Sequence, residues 1–428
     1  MSVEVVQTSE INVERNIGIH LENKKISRSF FWFLWALYAI VCMTKNCYNS
    51  SLASIVSEGV LTKSQTGAIT ALFYLAYTPF QIVGGMVSDR YSPEKVIKIG
   101  LVGAAVANTI IFFCQNYYVM MATWVFNGII QFGIWPCVFK IISSQLIRSD
   151  RPRMSFFISF SSTAGFLLSY LTGAVVSKWQ YNFAISAISL VALVVALHIF
   201  EKIINPYMKW DKEEVIKTQG GKAEPVSKKK VFLASGFFFM ILGMMLMVTV
   251  CQTRSSLTSV MLVENYETIA PSMGNVLTAV MLLAGLAGNL IAGSFMRYVK
   301  NEVLFIMIFA ALKIPFLAAC TMIGKLPVGT IITMLSVVAC FDAVTDMGKT
   351  YYTMHFAKYG MSGTAAGILN AGNAFSYMLA AYVMPKIVEL TSWQTMLVMF
   401  PIMLGISTIS FAVIIPTFTK FRKAAVTR

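Results

Sequence analysis

Long apolar runs recur along the whole chain, and no other sequence feature constrains the fold more strongly. A run of about 20 apolar residues is the length that an α-helix needs to cross a bilayer. Apolar residues make up 57% of the 428 residues and charged residues only 12%, whereas a soluble domain has about 25% charged residues. The sequence therefore predicts an all-α membrane protein that crosses the lipid bilayer many times.

We identify twelve such runs, and one polar stretch at 201–230, which includes "KWDKEEVIKTQGGKAEPVSKKK", divides them into two sets of six. The predicted order is a cytoplasmic N-terminal tail (1–29), a six-helix half (30–200), a cytoplasmic linker (201–230), a second six-helix half (231–418) and a cytoplasmic tail (419–428). The predicted helices lie near Phe30–Ile55, Thr66–Ser88, Val96–Cys114, Tyr118–Ile142, Met154–Val176, Phe183–Phe200, Phe232–Val263, Met273–Phe295, Val303–Ile323, Val328–Lys349, Gly363–Pro385 and Trp393–Pro416.

The basic residues predict the orientation in the membrane. When helix ends are numbered alternately, nearly all lysines and arginines outside the apolar runs fall on the side of the termini and the linker. The opposite side has only Lys63, Lys178, Lys325 and Lys386. By the positive-inside rule, both termini are cytoplasmic, in a multi-pass protein of the plasma (inner) membrane. This topology also explains the net charge of +15, and no nucleic-acid partner is predicted.

Several kinds of chemistry are not indicated by the sequence. The seven cysteines all fall in apolar runs without metal-ligand spacing, and the three histidines are scattered, so we predict neither a metal site nor a disulfide framework. The segment "AVTDMGKT" has Ala343 where a phosphate-binding loop needs its first glycine, and it follows an apolar helix. We therefore expect no cofactor and no enzymatic activity, but a monomeric transporter driven by a gradient or by exchange.

A short frame occurs twice and ends in a base each time. "VCMTK" (Val41–Lys45) and "VCQTR" (Val250–Arg254) lie 209 residues apart (254 − 45), and the same offset aligns Lys140 with Lys349. The shared offset predicts a six-plus-six parallel repeat. Such repeats place the substrate between the two halves near the bilayer midplane.

Lys45 and Arg254 are therefore candidate anion ligands, one from each half. A base inside hydrocarbon is costly and normally faces a bundle interior or a wet cavity. The planar guanidinium of arginine can donate two parallel hydrogen bonds to a phosphate or carboxylate, whereas the lysine ammonium acts as a point charge. The polar flanks "TKNCYNSS" and "QTRSSLTS" favour cavity-facing positions. The alternative is that each base snorkels to the lipid headgroups.

Four further charged residues lie inside apolar runs: Lys140, Lys313, Asp342 and Asp346. Asp342 and Asp346 are four residues apart and so share one helix face. We predict that Lys313 forms an ion pair with Asp342 and that Asp346 meets Lys140; the alternative is that the carboxylates carry protons. Together with Lys45 and Arg254 these groups leave a positive balance in the membrane, which favours an anionic substrate.

One loop resembles a signature of the major facilitator superfamily. "GGMVSDRYSPEKV" (Gly84–Val96) is similar to the loop between the second and third helices of that family. There, an aspartate and an arginine lock the cytoplasmic ends of the halves in one state. The resemblance implies a conformational latch at Gly85, Asp89, Arg90 and Lys95.

Two longer stretches are similar to the organophosphate:phosphate antiporters of that superfamily. They are "FNGIIQFGIWPCVFKIISSQLIRSDRPR" (Phe126–Arg153) and "MSGTAAGILNAGNAFSY" (Met361–Tyr377). That family exchanges inorganic phosphate for sugar phosphates or glycerol phosphate, with an arginine on helix 1 and another on helix 7. The resemblance implies that Arg254 is the second arginine. Where the family has Arg-Lys-Asn on helix 1, this chain has Thr44-Lys45-Asn46, so Lys45 either replaces the arginine or matches the lysine.

Polar residues on otherwise apolar helix faces complete the predicted site. For each of them, an interhelix hydrogen bond is the alternative to ligand contact. They are Tyr38, Tyr77, Gln81, Asn370 and Asn373.

The sequence thus predicts a secondary transporter of a small organic anion, an organophosphate exchanged for phosphate, working by alternating access. A proton-coupled symporter of a carboxylate such as a sugar acid, with Asp342 or Asp346 as proton carrier, is one alternative. A membrane sensor of sugar phosphates is another.

Overall fold

The computed structural model describes residues 19–210, 228–295, 298–356 and 362–426. Within these ranges nearly all residues are helical, and the predicted all-α membrane fold is confirmed. Ten helical segments of the described chain are long and apolar enough to cross a membrane. The long helices Lys63–Arg90 and Ser362–Leu390, which include residues whose side chains are not described, are outside those ten, so the number of twelve spans stays a prediction.

The chain divides into two compact units, each described separately below. Unit 1 comprises Met1–Ser51 and Leu75–Lys222, and unit 2 comprises Leu52–Tyr74 and Ala223–Arg428. The predicted halves keep whole helices together, whereas these units divide the first two helices. Most of the predicted linker, residues 211–227, lies outside the described residues.

Unit 1 contains seven α-helices or parts of them and one small sheet among its described residues. In chain order these are β1 (Ile19–Leu21), α1 (Lys24–Ser57), α2 (Lys63–Arg90), α3 (Pro93–Phe113), α4 (Tyr117–Ile130), α5 (Ile134–Lys140), α6 (Arg151–Val175), α7 (Gln180–Ile204) and β2 (Met208–Trp210).

The first helix begins earlier than predicted. The Asn23 side chain accepts hydrogen bonds from the backbone N–H groups of Lys25 and Ile26, at 3.0 and 3.2 Å, which is the usual role of an asparagine N-cap.

Near this end of the first helix, Arg28 Nε donates to Asp150 Oδ2 at 2.8 Å. This hydrogen bond holds the pKa of the Asp150 carboxyl below its ordinary value.

A two-stranded sheet was not predicted from the sequence. β1 and β2 pair antiparallel, with His20 opposite Lys209, so the end of the N-terminal tail is fixed to the start of the linker. Leu21 is fully buried and joins the apolar core of unit 1. Strands of three residues are too short to give a recognisable alternating pattern.

The predicted run Tyr118–Ile142 corresponds to one candidate membrane span, Tyr117–Gln145, which a turn at 131–133 interrupts. α4 ends at Ile130, a turn follows, and α5 is succeeded by a π-helical turn at Ile141–Gln145. Pro136 lies in the first turn of α5. Proline has no N–H to donate to the carbonyl four residues earlier, so it is tolerated in a first turn but not in a helix interior.

The core of unit 1 lies where α1 packs among α3, α5 and α7. Leu37, Leu101, Ile134 and Leu190 are completely buried there. Gly165 on α6 permits a close approach of α1, because a Cβ at this position would lie 2.7 Å from Cys42 Cβ. The small residue therefore positions the part of α1 that carries Lys45.

Unit 2 contains the parts of α1 and α2 within Leu52–Tyr74 and seven further helices. These are α8 (Lys228–Ala234), α9 (Phe237–Asn265), α10 (Pro271–Phe295), α11 (Glu302–Cys320), α12 (Val328–Met354), α13 (Ser362–Leu390) and α14 (Trp393–Val426). The principal helix pairs are α10 with α12, α11 with α12 and α14, and α9 with α13 and α14.

Charged groups attach the segment Leu52–Tyr74 to the rest of unit 2. Lys63 Nζ lies 2.7 Å from Glu264 Oε2, and the same oxygen accepts a hydrogen bond from Trp393 Nε1 at 2.8 Å. Glu389 accepts from the backbone N–H of Ser64 at 2.8 Å. The Lys63 ammonium also lies over the Trp393 ring.

We expect Gly165→Leu to lower the midpoint of thermal unfolding in detergent. The added side chain has to displace α1, and such overpacking costs about 1–3 kcal/mol. The matched control is Gly405→Leu, because a Cβ at Gly405 meets no atom within 4 Å. Equal midpoints for the two variants would contradict the close packing of α6 on α1.

Candidate anion-binding sites

Lys45 on α1 lies among aromatic side chains of unit 1. Its Nζ is 3.3 Å from Tyr77 Oη, 4.9 Å from the centre of the Tyr77 ring and 5.8 Å from the centre of the Tyr38 ring. A lysine ammonium within about 6 Å of an aromatic face is attracted by its quadrupole. Among the described residues no carboxylate lies within salt-bridge distance of Lys45, so its full positive charge remains available to an anion.

The Tyr38 ring is itself held in place. It packs against Trp135 of α5 with ring centroids 4.6 Å apart, and only 9% of Tyr38 is exposed. Trp135 lies just after the break between α4 and α5. Trp135 was not among the predicted site residues, although it lies within the stretch that resembles the antiporters.

The polar flank that follows Lys45 has a structural role. Asn182 of α7 donates from Nδ2 to Ser50 Oγ at 2.7 Å and to Ser51 Oγ at 3.2 Å, and Ser50 also contacts Ser169 Oγ of α6 at 3.0 Å. All four side chains are buried. The expectation of cavity-facing positions was wrong for these serines, which bond to neighbouring helices instead. Helical periodicity predicts which residues share a face, but it does not tell which helix that face contacts.

Arg254 lies at the centre of a charged cluster in unit 2. Its Nη2 is 2.7 Å from Asp342 Oδ2, and Lys313 Nζ is 2.7 Å from Asp342 Oδ1. The predicted pairing of Lys313 with Asp342 is therefore present, and the contact with Arg254 is an addition to it. The exposed fractions of the Arg254 and Lys313 side chains are 3% and 1%. Two bases share one acid, so the cluster keeps one positive charge.

Three helices bring this cluster together. Arg254 is on α9, Lys313 on α11 and Asp342 on α12, and α12 packs against α11 along much of its length. Lys313 Nζ also donates to Thr345 Oγ1 at 3.1 Å, and Thr345 lies one turn after Asp342. Thr345 was not predicted, although its position three residues after a buried acid is the spacing of neighbours on one helix face.

The Arg254 guanidinium has donors to spare. Among the residues that the structure describes, Nε and Nη1 are buried and have no hydrogen-bond partner. A guanidinium carries five N–H donors in a fixed fork, and leaving a buried donor unpaired costs about 1–3 kcal/mol. An oxyanion that accepts from these atoms removes that cost. The cluster is therefore the best-formed candidate anion site in the described part of the chain.

Of the other predicted residues, five are described and the side-chain positions of four are not. Asp346 pairs with Lys349 of its own helix, and 66% of its side chain is exposed. Asn373 is buried and its Oδ1 has no partner among the described residues, whereas Asn370 is exposed. Lys140 is half-buried at the end of α5, and Lys95 is exposed on α3. The side chains of Gln81, Gly85, Asp89 and Arg90 lie outside the described residues.

Comparison with known proteins identifies the family. The model of the Major Facilitator Superfamily matches residues 34–370. The chain belongs to this superfamily. It is therefore a multi-pass helical membrane protein of this superfamily, as the sequence predicted.

Curated relatives are matched over parts of their length. The chain is 28% identical to the membrane sensor protein UhpC of Escherichia coli (strain K12) over 118 residues, which are 28% of this chain and 27% of that protein. It is 19% identical to a probable hexose phosphate transport protein of Chlamydia trachomatis over 174 residues, 40% of this chain and 38% of that one. For sugar phosphate exchanger 3 of Xenopus laevis, the identity is 25% over 29% of this chain and 26% of that protein.

The chain therefore aligns with less than half the length of these curated relatives, of which one is named for membrane sensing, one for hexose phosphate transport and one for sugar phosphate exchange. Solved structures match over nearly the whole chain. A bacterial homologue of the human lysosomal transporter Spinster has a TM-score of 0.72 at 13% identity, covering 93% of this chain and 99% of that one. A D-xylose-proton symporter has a TM-score of 0.70 at 12% identity, covering 92% and 97%. These similarities establish the superfamily fold.

We expect Asn182→Ala to destabilise unit 1 without changing anion affinity. The change removes the donor shared by Ser50 and Ser51, and a lost buried hydrogen-bond partner costs about 1–3 kcal/mol. Thermal unfolding in detergent, with and without inorganic phosphate, measures both effects. The matched control is Asn205→Ala, an exposed asparagine after the same helix. A variant of normal stability but weakened phosphate protection would instead place Asn182 in a binding site.

Proposed function

We propose that this superfamily member is a secondary transporter of a small organophosphate, which it exchanges for inorganic phosphate by alternating access in the plasma membrane. The observation that carries the proposal is the buried Arg254 guanidinium, which contacts Asp342 through Nη2 and keeps Nε and Nη1 unpartnered among the described residues. Arginine matches the tetrahedral oxygens of phosphate with paired, charge-assisted hydrogen bonds.

The charges of the two sites support a phosphate group. Each of the two sites has one net positive charge: the cluster of Arg254, Lys313 and Asp342 in unit 2, and Lys45 in unit 1. A phosphate monoester carries about −1.5 to −2 charge near pH 7. We propose that transport requires both Lys45 and Arg254, with Lys45 acting as a point charge above its tyrosines. In this proposal both termini are cytoplasmic.

The relatives support an organophosphate in preference to another anion. One matched relative is named a hexose phosphate transport protein and another a sugar phosphate exchanger. The similarity to a membrane sensor protein favours a second candidate, in which this chain binds a sugar phosphate and signals without moving it. Flux separates the two, since a sensor binds phosphate compounds but does not exchange them across a membrane.

We expect purified protein in liposomes loaded with unlabelled phosphate to take up labelled phosphate. Arg254→Gln should lower this exchange at least about tenfold, because a hydrogen bond to a charged group contributes about 1.5–3 kcal/mol. Lys325→Gln removes an exposed base from the same unit and is the matched control. Exchange at the wild-type rate in Arg254→Gln would refute the role of this arginine, and binding without exchange by the wild type would favour the sensor.

Exchange also predicts a result that differs from proton symport. Both oxygens of Asp342 contact bases, and Asp346 is exposed beside Lys349, which supports exchange in preference to proton symport. An inward proton gradient should therefore drive no accumulation of phosphate or of gluconate, a sugar acid, into liposomes without internal anion. Asp346→Asn should exchange phosphate like the wild type. Accumulation that the gradient drives and that Asp346→Asn abolishes would establish the symporter instead.

A further inference from the structure

The cluster around Asp342 is built asymmetrically. Each carboxylate oxygen contacts a different base: Oδ1 contacts Lys313 and Oδ2 contacts Arg254, both at 2.7 Å. One carboxylate thus neutralises one of two buried cations. The asymmetry lies in what else each base contacts.

Lys313 is anchored on its own side of the carboxylate. Its ammonium contacts Thr345 Oγ1 at 3.1 Å and Met247 Sδ at 3.5 Å in addition to Asp342, and the residue is 1% exposed. All three N–H donors of the ammonium therefore have acceptors. Lys313 can keep these contacts whether or not Asp342 Oδ2 also contacts a second base.

Arg254 is the base with spare capacity. Among the described residues, its side chain contacts one oxygen, Asp342 Oδ2, and one sulfur, Cys251 Sγ at 3.9 Å. Its Nε and Nη1 have no partner among the described residues. An oxyanion that binds this guanidinium end-on needs an N–H of Nη1 and one of Nη2. The two N–H groups of Nη2 contact Asp342 Oδ2 and Cys251 Sγ, so the anion also meets the negative charge of Asp342 at this nitrogen. Anion and carboxylate therefore compete for one nitrogen.

We propose that Asp342 is an internal counterion, which occupies Arg254 when the site is empty and is displaced to Lys313 alone when the transported anion binds. This inference rests on the proposed function and adds a regulation of its site. In the empty state the carboxylate spares the protein an uncompensated pair of buried cations, which is strongly destabilising. In the bound state Lys313 neutralises the displaced carboxylate, so the anion does not face an unpaired negative charge.

The competition also limits affinity, which an exchanger needs in order to release its substrate. Asp342 remains beside Arg254 and can re-form its contact as the anion leaves. Lys313 and Asp342 are thus positioning residues, which act on the anion through Arg254. Their charges should compensate for one another in the KM for phosphate, whereas a purely structural ion pair would show its compensation in the thermal unfolding midpoint, because replacing both buried partners is often neutral for stability.

The test compares three variants with inorganic phosphate as the probe. Lys313→Met should weaken phosphate binding and raise the KM of exchange at least about tenfold, about 1.4 kcal/mol, because Asp342 then pairs with Arg254 alone and opposes the anion. Asp342→Asn should lower the KM and slow turnover, since no counterion displaces the anion. The double variant Asp342→Asn/Lys313→Met keeps Arg254 as one unopposed cation, and it should recover a KM within about threefold of the wild type, less than the tenfold step.

Controls and outcomes separate the two levels of the proposal. Lys325→Met and Glu267→Gln remove an exposed base and an exposed acid of unit 2 and should leave the KM unchanged. If the wild type exchanges phosphate but the double variant is as defective as Lys313→Met, or if Lys313→Met binds phosphate normally, the counterion role is overturned and the proposed function stands. If the wild type neither binds nor exchanges phosphate, the proposed function falls, and the counterion role falls with it. The double variant and Lys313→Met decide the question even where Asp342→Asn alone does not fold.

Discussion

A charged side chain inside a bilayer is costly unless a partner or a wet surface compensates for it, and the candidate sites of both units follow from this constraint. Unit 1 places Lys45 over tyrosine rings and beside a hydroxyl. Unit 2 places Arg254 and Lys313 on the two oxygens of one aspartate. The two halves share a short sequence frame, but they compensate for the cost of a buried base with different kinds of contact. The tyrosine rings leave the full positive charge of Lys45, whereas Asp342 neutralises one of the two positive charges of Arg254 and Lys313.

This difference bears on how each base can act. A lysine held by aromatic faces is attracted without a carboxylate that has to be displaced. An arginine held by a carboxylate is occupied until a stronger or better-placed anion replaces that partner. The described neighbours of Arg254 also leave donors unpaired, which is unusual for a group that is 5% exposed. Buried polar groups normally find partners, so exceptions of this kind point to a site where a ligand supplies them.

The helices themselves were largely predictable from sequence, because the bilayer dictates both their length and their apolar character. The errors lie where local or tertiary effects override that signal. A turn before Pro136 interrupts the fourth span, which still extends over Tyr117–Gln145, and a three-residue strand pairs the N-terminal tail with Lys209 and its neighbours. The polar flank after Lys45 was assigned to a cavity, but its serines bond to Asn182 of another helix.

The sequence by itself determined that this chain is a helical membrane protein, because its apolar runs have the length of membrane spans. It also identified Lys45, Arg254, Lys313 and Asp342 as candidate site residues, because charged residues inside apolar runs can be recognised without knowing which helices pack together. Only the tertiary structure decided which of these charges meet. The contact between Arg254 and Asp342 joins residues 88 positions apart on different helices, and helical periodicity fixes the face of a residue but not the neighbour that this face meets. Packing of α9, α11 and α12 supplies that information and makes one aspartate the partner of two bases.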